Sequence, residues 1–265
     1  MKVIGVDVYA VRLTQLRATT ISGDRVIDHQ DSTIVAVRSD EGVSGWGEAA
    51  PWGPAYLPMT AGTVRAALDV IAPAILGADP RNVNAVNARM LRTVRGQEPA
   101  RHAIDVACWD LLARSLGAPL FELLGGRVTH PLPTAGFIHR DGDVPYDQRI
   151  ADLRVAGHPH FEVKASGDPS ADAMLVRRLV DLMQPHERLK IDANGGWSVA
   201  GAAEVMAEAP PQVLFEQPCA TYAQCRQLRQ RRPNPIALDE VIVTVDDLVR
   251  AIADGAAEKG GGGQP

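Results

Sequence analysis

Between Pro131 and Asp254 the chain repeats one pattern five times, a short apolar strand followed by a helical stretch. The strands are TAGFI (134–138), FEVKAS (161–166), LKIDANG (189–195), VLFEQP (213–218) and PIALDE (235–240). Strands that alternate with helices can pair side by side only in parallel, because each helix carries the chain back to the start of the next strand. The polar residues gather at the strand C-terminal ends, and no GxGxxG follows any of these strands. The expected fold class is therefore α/β, and a (β/α) barrel rather than an open dinucleotide-binding sheet. A closed barrel of this kind has eight strands. The pattern supplies five, and the helical stretch over 244–254 leads only into Gly255-Ala-Ala-Glu258 and KGGGGQP. That tail has a flexible-linker composition with no β-branched or aromatic residue. The expectation is an incomplete barrel in a C-terminally truncated chain.

The first half reads differently. Residues 2–12, 32–38 and 43–47 have strand character, the last two joined through the turn residues Ser39-Asp40-Glu41-Gly42. From Thr60 the apolar residues Val64, Ala67, Leu68, Ile71, Ile75 and Leu76 recur at helical spacing until Gly77, with Pro73 expected to kink or shorten the helix. A second helix is expected from Pro99 to Gly117, with Ala103, Ile104, Ala107, Cys108, Leu111 and Leu112 on one face. The domain reading is an α+β capping domain over 1–127, a partial barrel over 128–258 and a glycine-rich disordered tail over 259–265.

Composition narrows the function classes. Lys and Arg total 27 against 32 Asp and Glu, a net charge of −5, with no basic run to follow a phosphate backbone and no basic amphipathic helix. Nucleic acid and membrane are not expected partners; a small-molecule carboxylate or amino acid is, and a homo-oligomer is compatible with the chain. The start, MKVIGVDVYAVRL, reads as an alternating strand rather than a targeting segment, so the expected compartment is the cytoplasm. Cys108, Cys219 and Cys225 lack CxxC spacing and read as buried thiols of a reducing compartment.

Three acidic residues close three successive strands: Asp192 in KIDAN, Glu216 in FEQP and Asp239 in ALDE, each about one βα unit after the last. Neighbouring strands lie about 4.8 Å apart, so carboxylates at strand ends converge above the barrel mouth and repel one another unless a cation joins them. Oxygen ligands without His or Cys suit Mg²⁺, with Mn²⁺ as the alternative, rather than Zn²⁺. Taken singly each acid is as readily a helix N-cap; the set of three carries the reading. One strand earlier, the alternation that buries Phe161 and Val163 turns Glu162 and Lys164 to the opposite face, where Lys164 can act as a base beside the metal. Glu240, next to Asp239, is expected to support a partner by hydrogen bonding. The histidines share no register with these acids and read as structural or solvated, with His139 the one near a strand end.

These stretches, with GWGEAAPWGPAYLP (45–58) and AIDVACWDLLARSLGAPLFELLGG (103–126), resemble the mandelate racemase and muconate-lactonising branch of the enolase superfamily, from residue 1 to about 258. GPAYLP and EQPCATYAQC are most similar to members acting on proline derivatives: cis-3-hydroxyproline dehydratases, hydroxyproline-betaine epimerases and proline-type racemases. The resemblance implies a barrel capped by an α+β domain, with loops around 14–30 and 46–60 covering the substrate. It implies Mg²⁺ on Asp192, Glu216 and Asp239, holding a substrate carboxylate while Lys164 removes the α-proton to give an enediolate. Racemisation, epimerisation or dehydration would follow. Two departures stand out: Glu162 occupies the first position of the family's Lys-x-Lys, and the further catalytic lysine of the sixth strand has no counterpart, Lys259 being too early.

Two other readings remain open at this level. One is a catalytically inactive truncated remnant whose open sheet edge pairs with another chain; monomeric turnover would exclude it. The other is a different Mg²⁺ barrel enzyme such as an aldolase, which the capping-domain resemblance disfavours.

Overall fold

The computed structural model describes residues 1–21, 25–52, 58–127, 132–140, 142 and 144–256. Tail residues 259–265 lie outside the described residues, as does part of the 46–60 segment. The chain divides into two compact units, Met1–Ala18 with Ile27–Pro131, and Thr19–Val26 with Leu132–Pro265.

The first unit is built on a three-stranded sheet in the order β1 (Val3–Ile21), β2 (Arg25–Ser39), β3 (Ser44–Ala49). Strands β2 and β3 are antiparallel, with Thr33 opposite Ala49 and Arg38 opposite Ser44. The tight turn between them rests on Gly42 at φ 76° and on Val43 O, which accepts from both Ser39 N and Ser39 Oγ. The strands run well into the segment expected as a loop at 14–30. β-Branched residues such as Thr19 and Thr20 extend the hairpin.

Among the described residues four helices accompany this sheet: α1 (Ala61–Ile75), α2 (Val83–Thr93), α3 (Glu98–Leu116) and the single turn α4 (Leu120–Leu123). Thr60 caps α1 through a reciprocal pair with Thr63, and Pro73 is accommodated in its last turn, so the helix continues to Ile75. Gly117 at φ 63° ends α3. This helix lies directly on β3: a Cβ added to Gly45 would stand 2.0 Å from Ala107 O, and one on Gly47 1.9 Å from Ala103 O. Glycine at both positions is what allows the two backbones to meet. Val35, Val37, Leu68, Ile71, Met90, Ile104 and Leu111 fill the core around that contact.

The second unit carries the parallel sheet. Strands β4 (Ala135–Ile138), β5 (His160–Lys164), β6 (Arg188–Asp192), β7 (Leu214–Glu216) and β8 (Ile236–Ala237) pair in sequence order. They alternate with α5 (Tyr146–Val155), α6 (Pro169–Leu182), α7 (Val199–Ala207), α8 (Tyr222–Arg229) and α9 (Val245–Ala253). These are five of the eight strands of a closed barrel. Phe161, Val163, Leu189, Ile191, Phe215 and Ile236 form one face of the sheet and join helix residues Val176, Leu179, Val205 and Leu228 in a continuous core. Period-two alternation leaves Glu162, Lys164, Lys190, Asp192 and Glu216 together on the other face.

Candidate metal and base site

Register decides which side chains meet at the C-terminal ends of the parallel strands. Lys164 is level with Asp192, and Asp192 with Glu216; one layer below, Glu162 is level with Lys190. Glu216 is level with Ala237 on β8, so Asp239 stands two residues further along, past the end of that strand.

The strand ends are joined beyond the ladder as well. Ala165 N donates to Asp192 O at 2.7 Å, Ala193 N to Glu216 O at 3.1 Å and Gln217 N to Ala237 O at 2.9 Å. The residues that turn away from the sheet are held in left-handed conformations, Asn194 at φ 45° and Gln217 at φ 36°. Non-glycine residues in that region carry local strain, a feature that concentrates at functional sites. Both are held by hydrogen bonds. Asn194 N donates to Asp192 Oδ1 at 2.8 Å, and Asn194 Nδ2 donates to Glu240 Oε1 at 3.0 Å and Asp192 Oδ2 at 3.3 Å. Gln217 Nε2 donates to Cys219 O at 2.9 Å while its Oε1 accepts from Asp239 N at 3.0 Å. The loop carrying Asp239 is thereby tied to the end of β7.

A second anchor lies beneath the loops after β5 and β6. The buried carboxylate of Asp172, in the first turn of α6, accepts from Ser166 N and Ser166 Oγ, both at 2.8 Å, from Gly167 N at 3.0 Å and from Trp197 Nε1 at 2.9 Å. One side chain thus fixes the loop that follows Lys164 to the loop that follows Asp192.

Within this frame Glu162, Asp192 and Glu216 each bring a carboxylate oxygen within 4.8 Å of the others. Two ammonium groups sit among them. Lys164 Nζ contacts Asp192 Oδ2 and lies 3.2 Å from Glu162 Oε1. Lys190 Nζ bridges Glu162 Oε2 at 2.8 Å and Glu216 Oε2 at 2.5 Å. Three carboxylates against two ammonium groups leave this cluster one negative charge in excess.

Burial and the neighbouring charges together set the ionisation behaviour. Burial pushes the Glu216 carboxyl up, and Asp192 and Glu162 push it further, against the opposing pull of Lys190. Glu240 is raised by burial too, with Asp239 and Asp192 adding to the effect. Burial would raise Glu162 and depress Lys164, but their charged partners outweigh it. Lys190 and Lys164 hold Glu162 down, and Asp192 with Glu162 holds Lys164 up as an ammonium.

These residues fit a hard divalent cation. Every side-chain donor is oxygen, the carboxylates lie within 4.8 Å of one another, and the cluster retains unneutralised negative charge. Among the described residues buried Glu240 Oε2 and Asn194 Oδ1 have no hydrogen-bond partner, and Glu216 Oε2 touches Lys190 without hydrogen-bond alignment. No histidine belongs to the group of acids that the described residues bring together. Of the residues anticipated from sequence, Lys164, Asp192 and Glu216 are brought together and Glu240 is hydrogen-bonded to Asn194, which also holds Asp192. Asp239 is held nearby through its backbone but is not one of the three clustered acids. Lys190, Asn194, Gln217 and Asp172 were not anticipated.

Residues 4–125 match the mandelate racemase/muconate lactonizing enzyme N-terminal domain, and 146–259 match the enolase C-terminal domain-like family. The chain belongs to the mandelate racemase/muconate lactonizing enzyme family of the enolase superfamily. Among the relatives, a cis-3-hydroxy-L-proline dehydratase from Roseibium aggregatum is 35% identical over 260 residues, a match covering 97% of this chain and 71% of that one. Muconate cycloisomerase 1 from Pseudomonas putida is 32% identical over 238 residues, covering 86% of this chain and 63% of that one. A solved enolase-superfamily member from Roseovarius nubinhibens, complexed with magnesium, superposes with a TM-score of 0.88 at 33% identity, covering 97% of this chain and 70% of that one. The family is one of enzymes, and these relatives include a dehydratase and an isomerase. No helix among the described residues is long and apolar enough to cross a membrane.

Proposed function

We propose that the chain carries the metal and base half-site of an enzyme that removes the α-proton of a proline-like amino acid, with Lys164 as the base and Asp192, Glu216 and Asp239 as ligands of Mg²⁺. The observation that carries this reading is the level placement of Lys164, Asp192 and Glu216 on three adjacent strand ends, with Lys164 in contact with Asp192. A bound dication supplies charge stabilisation for a substrate carboxylate as its α-carbon loses a proton.

The chain's own residues account for the remaining requirements. Lys164 is mostly buried and fixed at a strand end, so its amine can be aimed at one face of a substrate. It works as a base only once its proton is lost, and the Asp192 and Glu162 carboxylates that stabilise the ammonium oppose that loss. Neutralising Asp192 therefore favours the basic form. Asn194 keeps Asp192 and Glu240 oriented, and Gln217 holds the loop of Asp239.

Similarity to the hydroxyproline dehydratase favours a ring amino acid bearing a β-hydroxyl, from which hydroxide leaves once the α-proton is gone. Racemisation would instead need a second proton donor on the opposite face. The test is to incubate the chain with cis-3-hydroxy-L-proline or L-proline, with Mg²⁺ or with chelator, and follow both by NMR. Mg²⁺-dependent loss of the hydroxylated substrate with L-proline retained supports dehydration. Inversion of L-proline supports racemisation, and no reaction of either overturns the substrate assignment.

A further inference from the structure

The structure offers two triplets of acids that share two members, Glu162, Asp192 and Glu216 by proximity, and Asp192, Glu216 and Asp239 by strand-end position. We infer that Lys190 is a positioning residue that decides between them, holding Glu162 as a partner of lysines and keeping it from acting as a metal ligand. This rests on the metal reading above.

The geometry is specific. Both Glu162 oxygens are engaged, Oε1 by Lys164 at 3.2 Å and Oε2 by Lys190 at 2.8 Å, and the two lysines approach from its own strand and from the neighbouring one. Lys190 is level with Glu162 across the β5–β6 pair, so a short path joins their side chains. The same ammonium reaches up to Glu216 Oε2, fixing one candidate ligand from below while holding back the acid that competes with Asp239. Asp192 and Glu240 are tied instead by Asn194, so Lys190 contacts only Glu162 and Glu216 among these acids. Lys190 brings a positive charge to the layer of Glu162 from the adjacent strand.

A cation held by Glu216 would lie about 5 Å from the Lys190 ammonium. Removing Lys190 deletes a repulsive charge and releases a fourth carboxylate, so K190M should bind a dication more tightly, by tenfold or more on the order of the screened Coulomb energy at that distance, whereas Glu162→Gln in the same chain removes a negative charge that offsets the loss of the lysine. The experiment is titration calorimetry with Mg²⁺ alone on the wild-type chain, Lys190→Met, Lys190→Arg and the double variant Glu162→Gln/Lys190→Met. The expected pattern is tighter binding in K190M by at least about tenfold, with affinity within about threefold of wild type in K190R and in the double variant. A merely structural lysine would weaken binding or leave it unchanged when removed. K190M binding no tighter than wild type overturns the inference, as does a double variant that stays as tight as K190M. Wild type that is folded yet binds no Mg²⁺ overturns the metal reading itself, a separate outcome. Lys190→Gln is the milder replacement should K190M not fold, with the same criterion.

Discussion

Asp172→Asn is the most informative single change for the scaffold. The carboxylate receives four hydrogen bonds in a buried setting, two on each oxygen. An asparagine of the same size can keep the Ser166 pair on its oxygen. Its amide nitrogen then faces Gly167 N–H and Trp197 Nε1–H, leaving two buried donors without an acceptor. Each such loss costs about 1–3 kcal/mol, more where the acceptor was charged, so the change should destabilise by about 3–5 kcal/mol. That is a large share of the 5–15 kcal/mol typical of a folded domain. Urea unfolding followed by far-UV circular dichroism reads it as a lower midpoint. Trp197→Phe removes one of the orphaned donors, so the D172N/W197F pair should recover about 1 kcal/mol or more relative to additivity. A loss below about 1 kcal/mol in D172N, or strict additivity in the pair, would refute the claim that this carboxylate fastens the two loops.

Gly47→Ala should cost about 3 kcal/mol or more and lower the yield of folded protein. The new methyl meets the α3 backbone at Ala103 O rather than a movable side chain, and thermal unfolding measures the effect. Glu187 bears on acid stability. Its buried carboxylate accepts from Arg154 Nε at 2.6 Å, Arg154 Nη2 at 2.8 Å and Gln184 N at 2.8 Å, and Arg154 foremost holds its pKa below the usual 4.5. A depressed carboxyl contributes stability that is complete above the unfolded value and is lost as pH falls through the folded one. Glu187→Gln should therefore be less stable than wild type by about 1–3 kcal/mol at pH 7, with the gap closing below about pH 4.5, in urea titrations at several pH values.

Much of the second unit was legible because each parallel strand is a block of apolar residues bounded by Gly, Pro or polar turns, and all five strands appear where those blocks lie. Helix α2 was not. Only Val83, Val86 and Met90 of VNAVNARMLRT are buried, a stripe too thin to stand out among asparagines and arginines. The outer reach of the β1–β2 hairpin was missed for a related reason, since exposed strands lose the one-sided burial that makes alternation readable. At the site, strand-end acids and Lys164 were visible, but even spacing hid the register, which sets Glu216 beside Ala237 rather than Asp239. Lys190 could have been found by parity, standing two residues before Asp192 on the same face of β6. Asp172 could not, because an acid in the first turn of a helix reads as a dipole partner until its four donors are seen.

The most direct measurement is exchange of the α-proton of L-proline and cis-3-hydroxy-L-proline with D₂O, followed by ¹H NMR with Mg²⁺ present, for the wild-type chain and Lys164→Met. Exchange needs only one base, so it does not depend on a proton donor at the opposite face. The account predicts exchange by wild type that is abolished by chelator and reduced by about 10²-fold or more in K164M. Equal exchange in K164M, or exchange that persists without a divalent cation, would contradict it.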